Sequence, residues 1–157
     1  MIVTSPSFKD GEMIPKKFTC NGGNINPELQ IQNVPLETKS LALIMDDPDA
    51  PTKTFTHWLA WNIAASPEAS LAPAGRDSII VIKEESVPPD SVEGMNGTKE
   101  IGYIGPCPPS GTHHYHFKLY ALDAMLKLQT GAAKTELEAE INKHLIAKAE
   151  LVGLYQQ

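Results

Sequence analysis

Apolar positions along this chain fall into short blocks separated by turn residues, a pattern that predicts strands far more often than helices. Residues 40–45, Ser-Leu-Ala-Leu-Ile-Met, form a near-continuous apolar run of strand length, as expected of a strand buried on both faces. The run stops at Asp46-Asp47-Pro48, since proline cannot donate to a ladder. Residues 56–63 predict a second strand. Strict alternation would put His57, Leu59, Trp61 and Ile63 on one face and Trp58, Ala60 and Asn62 on the other. Residues 79–83 predict a short third strand. Residues 113–122 predict a fourth, in which His113, Tyr115, Phe117 and Leu119 share a face that turns apolar and is therefore the core side. His114, His116, Lys118 and Tyr120 then point outward.

The pattern changes period once. Thr135 as N-cap and Glu138 as its capping-box partner predict a helix start. Leu137, Ile141, Leu145 and Ala149 continue it as an i, i+4 stripe suited to packing on a sheet, and Gly153 is the expected stop. Between the third and fourth strands, residues 86–110 hold Pro88-Pro89, Gly94, Asn96-Gly97 and Gly102. A stretch so long without periodicity is a functional loop or a disordered one, and its recurrent Gly and Pro favour the ordered loop. No internal repeat or linker divides the chain, so residues 1–157 are expected to form one domain.

Composition narrows the function classes. A formal net charge of −6 with scattered basic residues argues against nucleic acid, and only Lys16-Lys17 are adjacent, which argues against a polybasic membrane patch. No apolar run approaches the ~20 residues that span a bilayer. The first residues, Met1-Ile2-Val3-Thr4-Ser5-Pro6, carry neither the charged nor the long apolar region of a signal peptide. A cytoplasmic protein is expected. Cys20 and Cys107 are too few for a disulfide framework or a four-thiolate zinc site, and both are expected to be reduced.

Two proline-bracketed clusters carry the chemistry. Asp46-Asp47-Pro48-Asp49-Ala50-Pro51 leads within a few residues to His57-Trp58. Gly105-Pro106-Cys107-Pro108-Pro109-Ser110-Gly111 runs directly into Thr112-His113-His114-Tyr115. Proline fixes the backbone and glycine allows close approach, so such a loop suits a pocket lip. Paired imidazoles can donate to an anion, more strongly once protonated, or can simply pack. A carboxylate can orient an imidazole, meet a ligand ammonium or bind metal, or it can cap a turn. Asp46 and Asp47 alternate in direction and so are not expected to act as a pair. Metal binding is not expected, because His114 and His116 have no third ligand at a diagnostic spacing. Ser110 lies outside a Gly-x-Ser-x-Gly elbow, and no helix N-terminus activates the Cys107 thiol. The Cys107 backbone N–H is of more interest, since loop amides form anion-binding nests.

Together the two clusters resemble the signatures of the phosphatidylethanolamine-binding protein family, especially its bacterial Raf-kinase-inhibitor-like branch. The resemblance extends through Phe18-Thr19-Cys20-Asn21-Gly22, residues 94–102 and Glu150-Leu151-Val152-Gly153. It implies a mostly β fold: a β-sandwich with a C-terminal helix packed on the sheet and a small anion pocket at one end. It implies a ligand site of Asp47, Pro51, His57, Gly105, Cys107, His113 and Tyr115, with Ala50-Pro51 a candidate cis bond. The implied function is non-catalytic binding of phosphate or a phosphorylated head group, with no cofactor and no metal. A kinase or protease partner at the pocket rim is the alternative, a weak hydrolase using His113 with Asp47 or Ser110 the third, and a homodimer the implied assembly.

Overall fold

The computed structural model describes residues 1–65 and 78–157. In chain order its elements are β1 (Ile2–Thr4), a 3-10 turn (Lys16–Phe18), β2 (Leu29–Gln32), β3 (Ser40–Asp47) and β4 (Phe55–Ala64), followed by β5 (Ile80–Ile82) and β6 (Val92–Glu93). The last three are β7 (His113–Leu122), α1 (Lys134–His144) and β8 (Leu145–Tyr155). The fold is mostly β. One sheet has the order β6-β4-β3-β7-β8 and a smaller one the order β1-β2-β5.

Every residue of β3 is buried, which accounts for its unbroken apolar run. Leu41, Leu43 and Met45 face the small sheet, packing with Leu29, Ile31 and Ile82 and with Phe117 and Leu119 of β7. Ala42 and Ile44 face the opposite side, where Leu137 and Ile141 of α1 close over Leu59 and Trp61. The result is a sandwich on one side of the large sheet and a helix on the other, with β3 in the middle layer. The predicted core face of β7 is the observed one: His113, Tyr115, Phe117 and Leu119 are all buried.

Strict alternation fails in β4. Met45 pairs with Trp58 but Asp46 pairs with Thr56, so His57 is an extra residue with no partner on β3. A second shift separates Leu43–Ala60 from Leu41–Ile63, where Asn62 has φ 59°. Bulges re-aim the side chains that follow them. Trp58, Ala60 and Ile63 therefore enter the sandwich core while Leu59 and Trp61 meet the helix.

The C-terminal reading needs correction too. The helix starts two residues early, with the Ala133 N–H donating to Glu136 Oε2 at 2.8 Å, so Thr135 and Glu138 form no cap. It ends at His144, and Leu145 onward is strand. Ala147, Ala149, Leu151, Gly153 and Tyr155 alternate toward the core opposite Ala121, Leu119, Phe117, Tyr115 and His113. Ten residue pairs with β7 outweigh a local helical stripe. Gly153 is not a helix stop. It lies so close to Ile14 and Phe8 that a Cβ there would collide with both side chains.

Candidate functional site

Three strand ends converge. Asp47 is the last residue of β3, His113 is the first of β7, and His57 is the bulged residue of β4. The bulge brings His57 to the same side as Tyr115, with ring centroids 5.1 Å apart in an edge-on arrangement. Beside them lies a cavity of 270 Å³, lined by Asp47, Pro51, His57, Gly105, Cys107 and His113 among others. Six of the seven residues expected from sequence thus share one cavity. Tyr115 is fully buried beside His57 and His113 and does not line it.

The hydrogen bonds assign each side chain a role. His113 Nδ1 lies 2.7 Å from Asp47 Oδ2, and both residues are almost wholly buried. The other Asp47 oxygen accepts the Asp49 N–H at 2.9 Å, so one carboxylate both orients an imidazole and closes its own turn. His57 Nδ1 donates to the Ile104 carbonyl at 2.7 Å, and the Ile104 N–H returns a bond to the His57 carbonyl. Each Nδ1 is thereby committed to an acceptor. Neither Nε2 has a hydrogen-bond partner among the described residues.

Burial lowers the His57 pKa, against the raising influence of the Ile104 carbonyl and the Asp47 and Asp46 charges. Burial, then the Asp47 charge, raises the Tyr115 pKa and keeps its phenol protonated, outweighing the opposite pull of the Cys107 amide. Its buried hydroxyl makes no hydrogen bond to a described residue.

The neighbouring acidic residues do other work. Asp46, fully buried on the opposite sheet face, binds Lys134 at 2.7 Å and Lys118 at 3.2 Å. Asp49 accepts both the backbone N–H and Nδ1 of the exposed His114, which holds its pKa down. His116 pairs with Glu150. Larger depressions of 440 Å³ beside Ile80 and Pro88, 420 Å³ beside Lys118 and Tyr120, and 290 Å³ beside Trp58 and Tyr103 contain no such convergence of imidazoles. Among the described residues no cluster of three metal-ligating side chains occurs.

The cavity wall corrects one expectation from sequence. Cys20 and Cys107 are not reduced thiols; they form a disulfide across 87 residues, with Cα atoms 5.5 Å apart. Two cysteines in loops of Gly, Pro and Asn were the only available signal, and spacing alone cannot pair them. The same wall holds Gly105, whose N–H donates to Asn24 Oδ1 at 2.7 Å and where a Cβ would collide with the Phe18 carbonyl and Thr19 backbone. Asn24 and Ile104 went unrecognised in the sequence because a backbone carbonyl and a distant amide side chain leave no motif. The candidate cis bond is also corrected: Ala50-Pro51 is trans, as is every peptide bond described.

Comparison with known proteins matches residues 4–156 to the family model described as phosphatidylethanolamine-binding protein. A UPF0098 protein of Pyrococcus abyssi is 46% identical over 159 residues, covering 100% of this chain and 86% of its own length. One from Methanothermobacter thermautotrophicus is 44% identical over 160 residues, covering 100% and 99%. Among solved structures, a putative phosphatidylethanolamine-binding protein homologue from Chlamydia trachomatis superposes with a TM-score of 0.86 at 37% identity, covering 99% of this chain and 97% of that one. Escherichia coli YbcL, described as a new member of the mammalian family, gives 0.85 at 30% identity with the same coverage. No helix among the described residues is long and apolar enough to cross a membrane.

Proposed function

The chain belongs to the phosphatidylethanolamine-binding protein family, and we propose that its cavity binds phosphate or a phosphorylated head group through Asp47, His57, His113, Tyr115 and the wall of Pro51, Gly105 and Cys107. The observation that carries this is the commitment of both Nδ1 atoms. Ile104 O can only accept, so His57 carries its proton on Nδ1 when neutral; the same follows for His113 against an ionised Asp47. Each neutral ring then offers Nε2 as an acceptor. An anion is itself an acceptor, so it binds with a proton, taken up by an imidazole or brought as a P–OH group. Tyr115 and the Cys107 amide add two neutral donors.

This gives a sharp test. Isothermal titration with phosphorylethanolamine, whose dianion carries no P–OH, should show affinity falling about tenfold per pH unit above the titration range of its phosphate and of histidine, the slope of one linked proton, while inorganic phosphate, whose dianion keeps one P–OH, should fall less steeply. His57→Ala should abolish most of the binding. A pH-independent affinity, or one indifferent to His57→Ala, would overturn the reading.

A hydrolase is the weaker proposal. Asp47 and His113 have the geometry of a positioned base, but among the described residues no hydroxyl bonds His113 Nε2, and the Cys107 sulfur is in a disulfide. Kinase or protease binding at the rim, a homodimer and a cytoplasmic setting remain proposals, tested by pull-down with rim variants, sizing in solution and cell fractionation. The disulfide removes one support for the last, since disulfides are rare in most cytosols.

A further inference from the structure

We propose that the Cys20–Cys107 disulfide is a thiol-exchange site whose redox state sets whether the cavity wall is in place. Both cysteines are exposed, so an external thiol can reach the sulfurs without unfolding the core. Exposed disulfides are the labile ones, whereas buried ones are structural.

The wall is built so that this bond matters. Residues 104–106 are held by several hydrogen bonds: Ile104 to His57 in both directions, Gly105 N–H to Asn24, and the Cys20 N–H to the Pro106 carbonyl. Beyond that point support thins. Pro108 and Pro109 have no N–H, and residues 107–111 make no backbone-to-backbone hydrogen bond among the described residues. The next anchor is Thr112, which bonds Gln156. Between the two anchors the covalent tether is the disulfide, supplemented by the exposed Gln157 amide on both sulfurs and by the Cys107 amide at Tyr115, and Cys107, Pro108 and Pro109 all line the cavity. The Cys107 backbone amide, which acts on the buried Tyr115 hydroxyl, sits on the tethered residue itself.

The chemistry balances with a thiol as reductant. An external thiolate attacks one sulfur, the S–S bond breaks, and the other cysteine leaves as a thiolate and takes up a proton. A second thiol then resolves the mixed disulfide. Cys20 and Cys107 gain two electrons and two protons in all, and the two reductant thiols become a disulfide. The freed wall segment then samples conformations in which the cavity lacks one side. The apparent dissociation constant rises as the inverse of the fraction of time the wall is in place, about tenfold if that fraction is a tenth.

The ligand readout rests on the phosphate proposal, so the test has a second readout that does not. The native protein is treated with dithiothreitol, freed of excess, and compared with untreated and reoxidised samples by amide hydrogen exchange and by inorganic phosphate titration. Reduction under native conditions should yield two thiols. Exchange should speed up at residues 105, 107 and 110–112 while amides of β3 and β7 keep their protection, and phosphate affinity should fall about tenfold and return on reoxidation. Cys20→Ser combined with Cys107→Ser should reproduce the reduced state; if that variant does not fold, reduction and reoxidation of the native chain still decide. Resistance to reduction until global unfolding would overturn the proposal, as would unchanged exchange in the wall. Absence of phosphate binding in every sample, with wall exchange still redox-dependent, would refute the phosphate reading and leave the gate standing.

Discussion

Replacing Cys20 and Cys107 together by serine removes a cross-link that closes 87 residues. In the chain-entropy description the denatured ensemble then regains about 15 cal/mol/K, or about 4.6 kcal/mol at 25 °C. For a chain of 157 residues the unfolding entropy is about 0.33 kcal/mol/K, so the midpoint should fall by about 14 °C. Domains of this size are stable by about 5–15 kcal/mol, so the variant should stay folded at 25 °C with a thin margin. Guanidinium and thermal unfolding, followed by near-UV absorbance of the two buried tryptophans, Trp58 and Trp61, give both numbers. The reference is native protein under non-reducing conditions. A drop under about 1 kcal/mol, or under about 3 °C, would refute the reasoning, because it would mean that the two loops are already close in the unfolded chain.

Other substitutions probe separate parts of the account. Gly153→Ala should destabilise by about 1–3 kcal/mol in denaturant titration, since its methyl must displace Ile14 and Phe8 in a filled core; an unchanged midpoint would show that β8 is not seated there. Asp46→Ala removes the carboxylate shared by the part-exposed Lys118 and Lys134, of which Lys134 keeps Glu138, and should cost about 1–3 kcal/mol, more than the same change at the exposed Asp49. The lowered His57 pKa makes the unfolded chain bind more protons between the folded and unfolded values. Ligand-free stability should therefore decline as pH falls from about 6.5, and His57→Gln should flatten that segment of the pH–stability curve. An identical curve for the variant would place the effect elsewhere.

The strands were legible in the sequence where burial was two-sided or cleanly alternating. Residues 40–45 and 113–122 announced themselves because β3 is covered by a sheet and a helix, and β7 alternates without interruption. β4 was legible as a strand but not as a pattern of faces, because bulges at His57 and Asn62 obey pairing geometry that no local period encodes. The C-terminal segment misled for a related reason. Leu145-Ile146-Ala147-Lys148-Ala149-Glu150 has good helix formers, and its period of two is carried by small residues, Ala147 and Ala149, that signal weakly. At the cavity, the Pro- and His-rich clusters pointed to six lining residues, since proline, histidine and aspartate have few reasons to gather otherwise. The disulfide, the Ile104 carbonyl and Asn24 depend on contacts across 47 to 87 residues, which spacing does not reveal.

The most direct test of the central claim is an NMR titration of the histidine ring nitrogens with inorganic phosphate near pH 6. The account predicts that His57 begins with Nδ1 protonated and Nε2 bare, and that phosphate moves the Nε2 signal of His57 or His113 saturably toward the protonated shift. His114 and His116, held by Asp49 and Glu150 outside the cavity, should stay in place. Unmoved His57 and His113 signals at saturating phosphate, or shifts confined to the two outer histidines, would contradict it.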